Sequence, residues 1–167
     1  ESKLGSDAAQ LTEISNYLLH IGGKRIRPTM CLLSAKLFKL YEITPPLLDT
    51  AAGIELIHMA TLLHDDIIDQ SPTRRKQESA YKKYGVTPTL LAGDFLLVRA
   101  FGMCAKLDDF IVDSTEIACV ELTEGELLEG KLDSANPITF DQYVTIIQKK
   151  TASLFSLACA TGAHIAG

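Results

Sequence analysis

Cysteine is sparse and unclustered. The four cysteines, Cys31, Cys104, Cys119 and Cys159, stand far apart with no CxxC pair. That excludes a zinc ligand set and a disulfide framework, leaving small core residues in a reducing compartment. No apolar run reaches the roughly 18–20 uncharged residues that a membrane span requires, so no transmembrane segment is expected. The opening residues, Glu1-Ser2-Lys3-Leu4-Gly5, lack a signal-peptide pattern, which makes the cytoplasm the expected compartment. A basic excess is missing too. The net charge of −5 argues against wholesale nucleic-acid binding but leaves room for local cations that hold phosphates. Strand signals are few, and neither an internal repeat nor a low-complexity tract is present.

What remains is a pattern of apolar residues at helical spacing, punctuated by Pro, Gly and Asp. With 47% hydrophobic and 22% charged residues over 167 positions, the chain suits one ordered domain with a sizeable core. Six helices are expected. The first spans about Asp7 to His20 and stops at Gly22-Gly23. The second follows Pro28, and the third runs from about Leu47 to Asp69 after the break at Thr44-Pro45-Pro46. The stretch Thr73 to Lys83 reads as an exposed basic loop with a short helical turn. A fourth helix covers about Thr87 to Lys106, and a fifth, capped by Asp108-Asp109, reaches about Gly130. After a break at Asn136-Pro137, Thr139 and Gln142 fit a capping box that opens the sixth. That last helix meets no stop signal, so the sequence is expected to end partway through a helix bundle. The fold class is all-α.

Three motifs carry candidate chemistry. In His64-Asp65-Asp66-Ile67-Ile68-Asp69, a helix advances about 100° per residue, so Asp65 and Asp69 fall within about 40° of each other. His58 and Thr61 lie on nearly the same stripe. Carboxylates crowded at a helix's negative end call for a compensating cation, and hard oxygen ligands suit Mg²⁺ shared with phosphates. Taken alone, the same residues also read as a solvated acidic helix end. The second motif is Gly22-Gly23-Lys24-Arg25-Ile26-Arg27-Pro28. Its cations at a helix start are unfavourable for the dipole unless an anion holds them, though a basic surface turn reads alike. The third, Arg74-Arg75-Lys76, follows Asp69 closely and suits either surface ion pairs or a metal-bound diphosphate. Lys149-Lys150-Thr151, inside the sixth helix, is a weaker fourth feature.

The order of these motifs is GGKRxRP, His58 seven residues before DDxxD, the arginine pair, Gly93-Asp94, then Lys150-Thr151. It resembles the trans-isoprenyl (polyprenyl) diphosphate synthase family across essentially the whole chain. Gly53 to Asp66 looks like that family's first aspartate-rich region, and Leu91-Ala92-Gly93-Asp94-Phe95-Leu96-Leu97 is similar to the helix that follows it.

The resemblance implies an isoprenoid-synthase bundle around a central cavity and a magnesium-dependent prenyltransferase, with isopentenyl diphosphate and an allylic diphosphate as substrates. It assigns Mg²⁺ to Asp65 and Asp69, with Asp66 supporting. Arg74 would meet the allylic diphosphate, flanked by Lys150 and Thr151. Lys24, Arg25, His58 and Arg75 would hold the diphosphate of isopentenyl diphosphate. Metal and cations would neutralise the charge developing on the departing diphosphate. Small residues at Ala60 and Thr61, where short-chain members are bulky, resemble the long-chain octaprenyl- and solanesyl-type synthases that supply quinone side chains. Such small residues also simply allow close helix packing. Farnesyl or geranylgeranyl products are the alternative, as is a non-catalytic regulatory subunit of a heteromeric synthase. The intact acidic and basic sets argue against the latter. A terpene cyclase is disfavoured, because GGKRxRP and His58 imply a second diphosphate. A homodimer is implied, using helices that include the fourth and fifth, with release of a very hydrophobic product toward a membrane.

Two departures stand out. Lys76 and Glu78 replace the family's usual Gly and Pro, which puts the loop's conformation in question. The family's second aspartate-rich motif has no counterpart here: Asp108-Asp109 and Asp133 sit in the wrong context. The 167 residues alone are therefore expected to be the amino-terminal half and inactive.

Overall fold

Proline opens the longest helix instead of only breaking the chain before it. In the computed structural model, which describes residues 4–132 and 137–167, Pro45 is the first residue of a helix. A first-turn proline forfeits an amide that has no intrahelical acceptor anyway, so the Pro45-Pro46 pair starts the helix at little cost. Eight α-helices are described: α1 (Ala9–His20), α2 (Ile26–Leu37), α3 (Pro45–Ile68), α4 (Ala80–Tyr84), α5 (Val86–Cys104), α6 (Asp109–Glu129), α7 (Phe140–Ile147) and α8 (Ser153–Ala166). The expected caps form. Asp108 accepts from the Ile111 amide, and Thr139 and Gln142 close a reciprocal capping box. Asp133 and Asn136 lie outside the described residues.

Two features depart from the sequence reading. The stretch expected as a basic loop holds a minimal hairpin, β1 (Thr73–Arg74) and β2 (Gln77–Glu78), antiparallel with Thr73 opposite Glu78 and Arg74 opposite Gln77. Its two-residue turn, Arg75-Lys76, has φ of 51° and 68°, the all-left-handed geometry that suits the twist of a hairpin. The expected sixth helix is interrupted at Gln148–Ala152 by a π-helical turn, after which α8 begins. The Ser153 amide bonds back five residues to the Gln148 carbonyl, and its hydroxyl donates to Lys149 O at 2.7 Å.

The chain forms two compact units. One, Glu1–Arg25 with Glu55–Met103, buries Ile14 and Leu18 of α1, Ile57, Met59, Ala60 and Leu63 of α3, and Ala92 and Leu96 of α5. The other, Ile26–Ile54 with Cys104–Gly167, packs α8 on α2 and α6. Its core includes Cys31, Leu47, Ile111, Leu154 and Ala158. Helices α3 and α5 are long and apolar enough to cross a membrane by length and mean hydropathy, 1.2 and 1.3 over their best windows. This qualifies the reading that no segment qualifies. Glu55 and the wholly buried Asp66 mark α3 as a core helix.

Candidate active site

The end of α3 carries Asp65 and Asp66, with Asp69 one residue beyond it, and the fold treats the three differently. Asp66 is fully buried, Asp65 half-buried and Asp69 exposed. A helix turns Asp66 about 100° away from Asp65, toward the interior, while Asp69 stays on the Asp65 stripe. Arg74, delivered by β1, places its guanidinium fork on Asp66. Nε donates to Oδ1 at 2.8 Å, and Nη2 donates to the same oxygen. The hairpin is thus tied to α3 by a charge-assisted pair. Asp66 Oδ2 is buried with no hydrogen-bond partner among the described residues.

The next residue, Arg75, turns the other way and meets Gly23. A Cβ at Gly23 would lie 2.9 Å from Arg75 Cζ, so only glycine lets the guanidinium lie there. Gly22 and Gly23 have φ of 99° and 141°, and Arg25 follows at 48°. This sharp turn brings Arg25 onto Glu55 of α3, while its other nitrogen donates to the Leu19 carbonyl at 2.7 Å. That carbonyl sits at the negative end of α1, where a cation is favoured. Burial lowers the pKa of Arg75 below its ordinary value, and the Arg25 charge lowers it further, with Glu55 opposing. Two neighbouring guanidiniums and one carboxylate leave a positive excess that an anion would relieve. Lys24 is exposed, and His58 is half-buried.

His64 was not among the residues singled out for a role. Its Nε2 lies 3.2 Å from the Leu90 carbonyl and 3.4 Å from Asp94 Oδ1. A carbonyl only accepts, so Nε2 carries the proton. A Cβ at Gly93 would stand 2.6 Å from the ring's Cδ2, so the Gly93-Asp94 pair provides both the space and the acceptor. His64 and Gly93-Asp94 both stand in motifs read from the sequence, but a ring-on-glycine contact leaves no periodic trace.

In the other unit, the π turn presents Lys149, Lys150 and Thr151. Lys149 pairs with Glu124, Lys150 pairs with Glu126 at 2.7 Å and with Glu129, and Thr151 is exposed. Partial burial works against the Lys150 charge, but the two glutamates outweigh it and hold its pKa above that of an ordinary lysine. Ala60 is completely buried, and Thr61 is half-buried with its hydroxyl donating to the His58 carbonyl at 2.9 Å.

The carboxylates do not form a closed metal cage. Among the described residues no group of three or more His, Cys, Asp or Glu gathers as a metal cage. Asp65 and Asp69, one turn apart, would suit a divalent cation that completes its shell with water and phosphate oxygens.

The Polyprenyl synthetase family model matches residues 8–167. The chain belongs to the polyprenyl synthetase family. Relatives within it include the all-trans-nonaprenyl-diphosphate synthase (geranyl-diphosphate specific) of Rhodobacter capsulatus, 37% identical over 98% of this chain and 50% of that protein. A geranylgeranyl diphosphate synthase of Methanosarcina mazei is 32% identical, over 95% of this chain and 50% of its own length. The crystal structure of the Caulobacter crescentus polyprenyl synthase, complexed with calcium and isoprenyl diphosphate, superposes with a TM-score of 0.94 at 35% identity. It covers 99% of this chain and 50% of that one. The all-α isoprenoid-synthase fold expected from the motifs is therefore present. The chain spans about half the length of the curated relatives it matches, as the missing second aspartate motif implied. Those relatives make products of different lengths, so membership in the polyprenyl synthetase family leaves chain length open.

Proposed function

We propose that the protein is a prenyltransferase that condenses isopentenyl diphosphate with an allylic diphosphate into a long all-trans polyprenyl diphosphate. One observation carries the reading: the Arg75 guanidinium lies against Gly23 within reach of the Arg25 charge, and the adjacent Arg74 is locked to Asp66 beside Asp65. The geometry favours different roles for the three arginines. Arg25 and Arg75, with Lys24 and His58, hold the diphosphate of isopentenyl diphosphate. Arg74 reaches the allylic diphosphate only with what its fork leaves over from Asp66. Lys150 and Thr151 serve the allylic diphosphate from the π turn. Asp65 and Asp69 hold Mg²⁺, which when bound neutralises the charge developing on the departing diphosphate.

The chemistry asks for no nucleophilic side chain. The carbon–oxygen bond of the allylic diphosphate breaks with its electron pair leaving on oxygen. The isopentenyl double bond supplies the new carbon–carbon bond, and the departing diphosphate takes the released proton. The chain's own residues bind, orient and exclude water from the allylic cation. Ala60 and Thr61 favour a long product. Both are small, and the Thr61 hydroxyl is bonded back to its own helix. A geranylgeranyl-length product is the second reading, favoured by the Methanosarcina relative. A homodimer fits Leu91 and Val98 of α5 and Ile117 and Val120 of α6, apolar side chains left exposed in this chain. Sedimentation of the full-length protein as a monomer would remove that part.

The decisive assay incubates the full-length protein with Mg²⁺, farnesyl diphosphate and labelled isopentenyl diphosphate and sizes the products. Elongation well beyond geranylgeranyl length is expected, and Asp65→Ala or Asp69→Ala should abolish incorporation. Undiminished incorporation by either variant would remove the aspartates from the reaction.

A further inference from the structure

The π turn at Gln148–Ala152 is an irregularity that the helix keeps although a regular turn would bond better. It packs against α6 at Gly125, where a Cβ would fall 2.8 Å from Lys150 Cα and 2.9 Å from the Lys149 carbonyl carbon. Those are backbone atoms and cannot step aside, so glycine is required for the two segments to approach. Glu126 and Glu129, three apart and on one helical face, then both reach the Lys150 ammonium. Glu126 is only 18% exposed and Glu129 46%.

We propose that Glu126 and Glu129 are positioning residues for Lys150, with Gly125 and the π turn setting the approach that lets both carboxylates grip one ammonium. An ammonium has three N–H donors. One is taken by Glu129, and Glu126 Oε2 stands 2.7 Å from the same nitrogen as an ion pair, so the two carboxylates confine a side chain that otherwise samples many rotamers. An exposed lysine–glutamate pair would be worth little. Here a partly buried ammonium meets two carboxylates across a glycine contact, and the pairs keep it charged. The inference rests on the reading that Lys150 serves the allylic diphosphate.

The test uses the full-length protein and steady-state kinetics with farnesyl diphosphate and isopentenyl diphosphate. Lys150→Gln should raise the KM for farnesyl diphosphate. Glu129→Gln and the isosteric Glu126→Gln should raise that same KM by about tenfold, leave the KM for isopentenyl diphosphate unchanged, and add nothing in the Lys150→Gln background. Glu129 is exposed enough that its variant does not threaten folding. If Lys150→Gln is impaired while both glutamate variants match wild type, or their effects persist undiminished in the Lys150→Gln background, the positioning role is overturned. If Lys150→Gln itself behaves as wild type, the assignment of Lys150 to the substrate fails first.

Discussion

Substituting the aspartates of the α3 motif one at a time should change stability with opposite signs. Asp66 is 0% exposed and its partner Arg74 25% exposed. Removing one member of a buried ion pair costs about 3–5 kcal/mol, because the other is left uncompensated. Arg74 can recover some water, so Asp66→Ala should cost about 2–4 kcal/mol. Asp66→Asn keeps one acceptor for the fork and should cost about 2–3 kcal/mol. Asp69 stands exposed one residue past the end of α3, against that helix's negative end. Asp69→Asn removes an unfavourable charge and should stabilise by about 0.3–1 kcal/mol. Equilibrium urea unfolding reads both. With a denaturant slope of about 1–3 kcal/mol per molar, Asp66→Asn lowers the midpoint by roughly 1–2 M, and Asp69→Asn raises it by a few tenths. Equal shifts, or an Asp66→Asn variant as stable as wild type, would show that the buried pair does not anchor the hairpin.

Two further outcomes follow from the backbone and the thiols. Lys76 holds φ at 68°, a conformation in which a side chain costs about 1–2 kcal/mol, so Lys76→Gly should stabilise by about 0.5–1 kcal/mol after glycine's extra chain entropy of about 0.4–1 kcal/mol. A loss of thermal stability in that variant would mean the lysine side chain contributes a contact larger than the strain. Burial, the largest cause, pushes the thiols of Cys31 and Cys119 up from 9.0 to about 11. At pH 8 their alkylation by iodoacetamide should then run about 100-fold slower than that of an unperturbed thiol. The native state holds these protons more tightly than the unfolded chain, so the associated stability is whole below about pH 9 and lost as pH rises toward 11. Rapid labelling of both cysteines in the native protein at pH 8 would contradict their burial.

Much of the scaffold was legible in the sequence because helices advertise themselves. Amphipathic spacing and Asp108 located α1, α3, α5 and α6 to within a few residues, the Thr139–Gln142 pair located the start of α7, and the caps formed as read. The hairpin was not legible, since strands of two residues carry no alternation to detect. Nor was the π turn, which needs no distinctive residue and shows only as a change in hydrogen-bond span. For the candidate site, the motif order marked the charged residues, but charge alone does not tell a ligand from a strut. Asp65, Asp66 and Asp69 look alike on paper, and only burial separates the one that grips Arg74 from the two that remain accessible. The loop put in question by Lys76 and Glu78 keeps its turn, because both central residues accept left-handed backbone at a modest cost.

The wide turn after α7 holds one residue more than a regular helical path would. Deleting a single residue between 148 and 152 would let an ordinary ladder run straight through, and circular dichroism would register almost the same helicity. Leu154, Leu157, Ala158 and Thr161, now enclosed, would keep their present face, because the wide turn takes up its extra residue within one turn. The same deletion made inside α8 would have no such slack: every residue after it would rotate by about 100° about the axis, and a molecule of almost unchanged helicity would lose its cooperative melting.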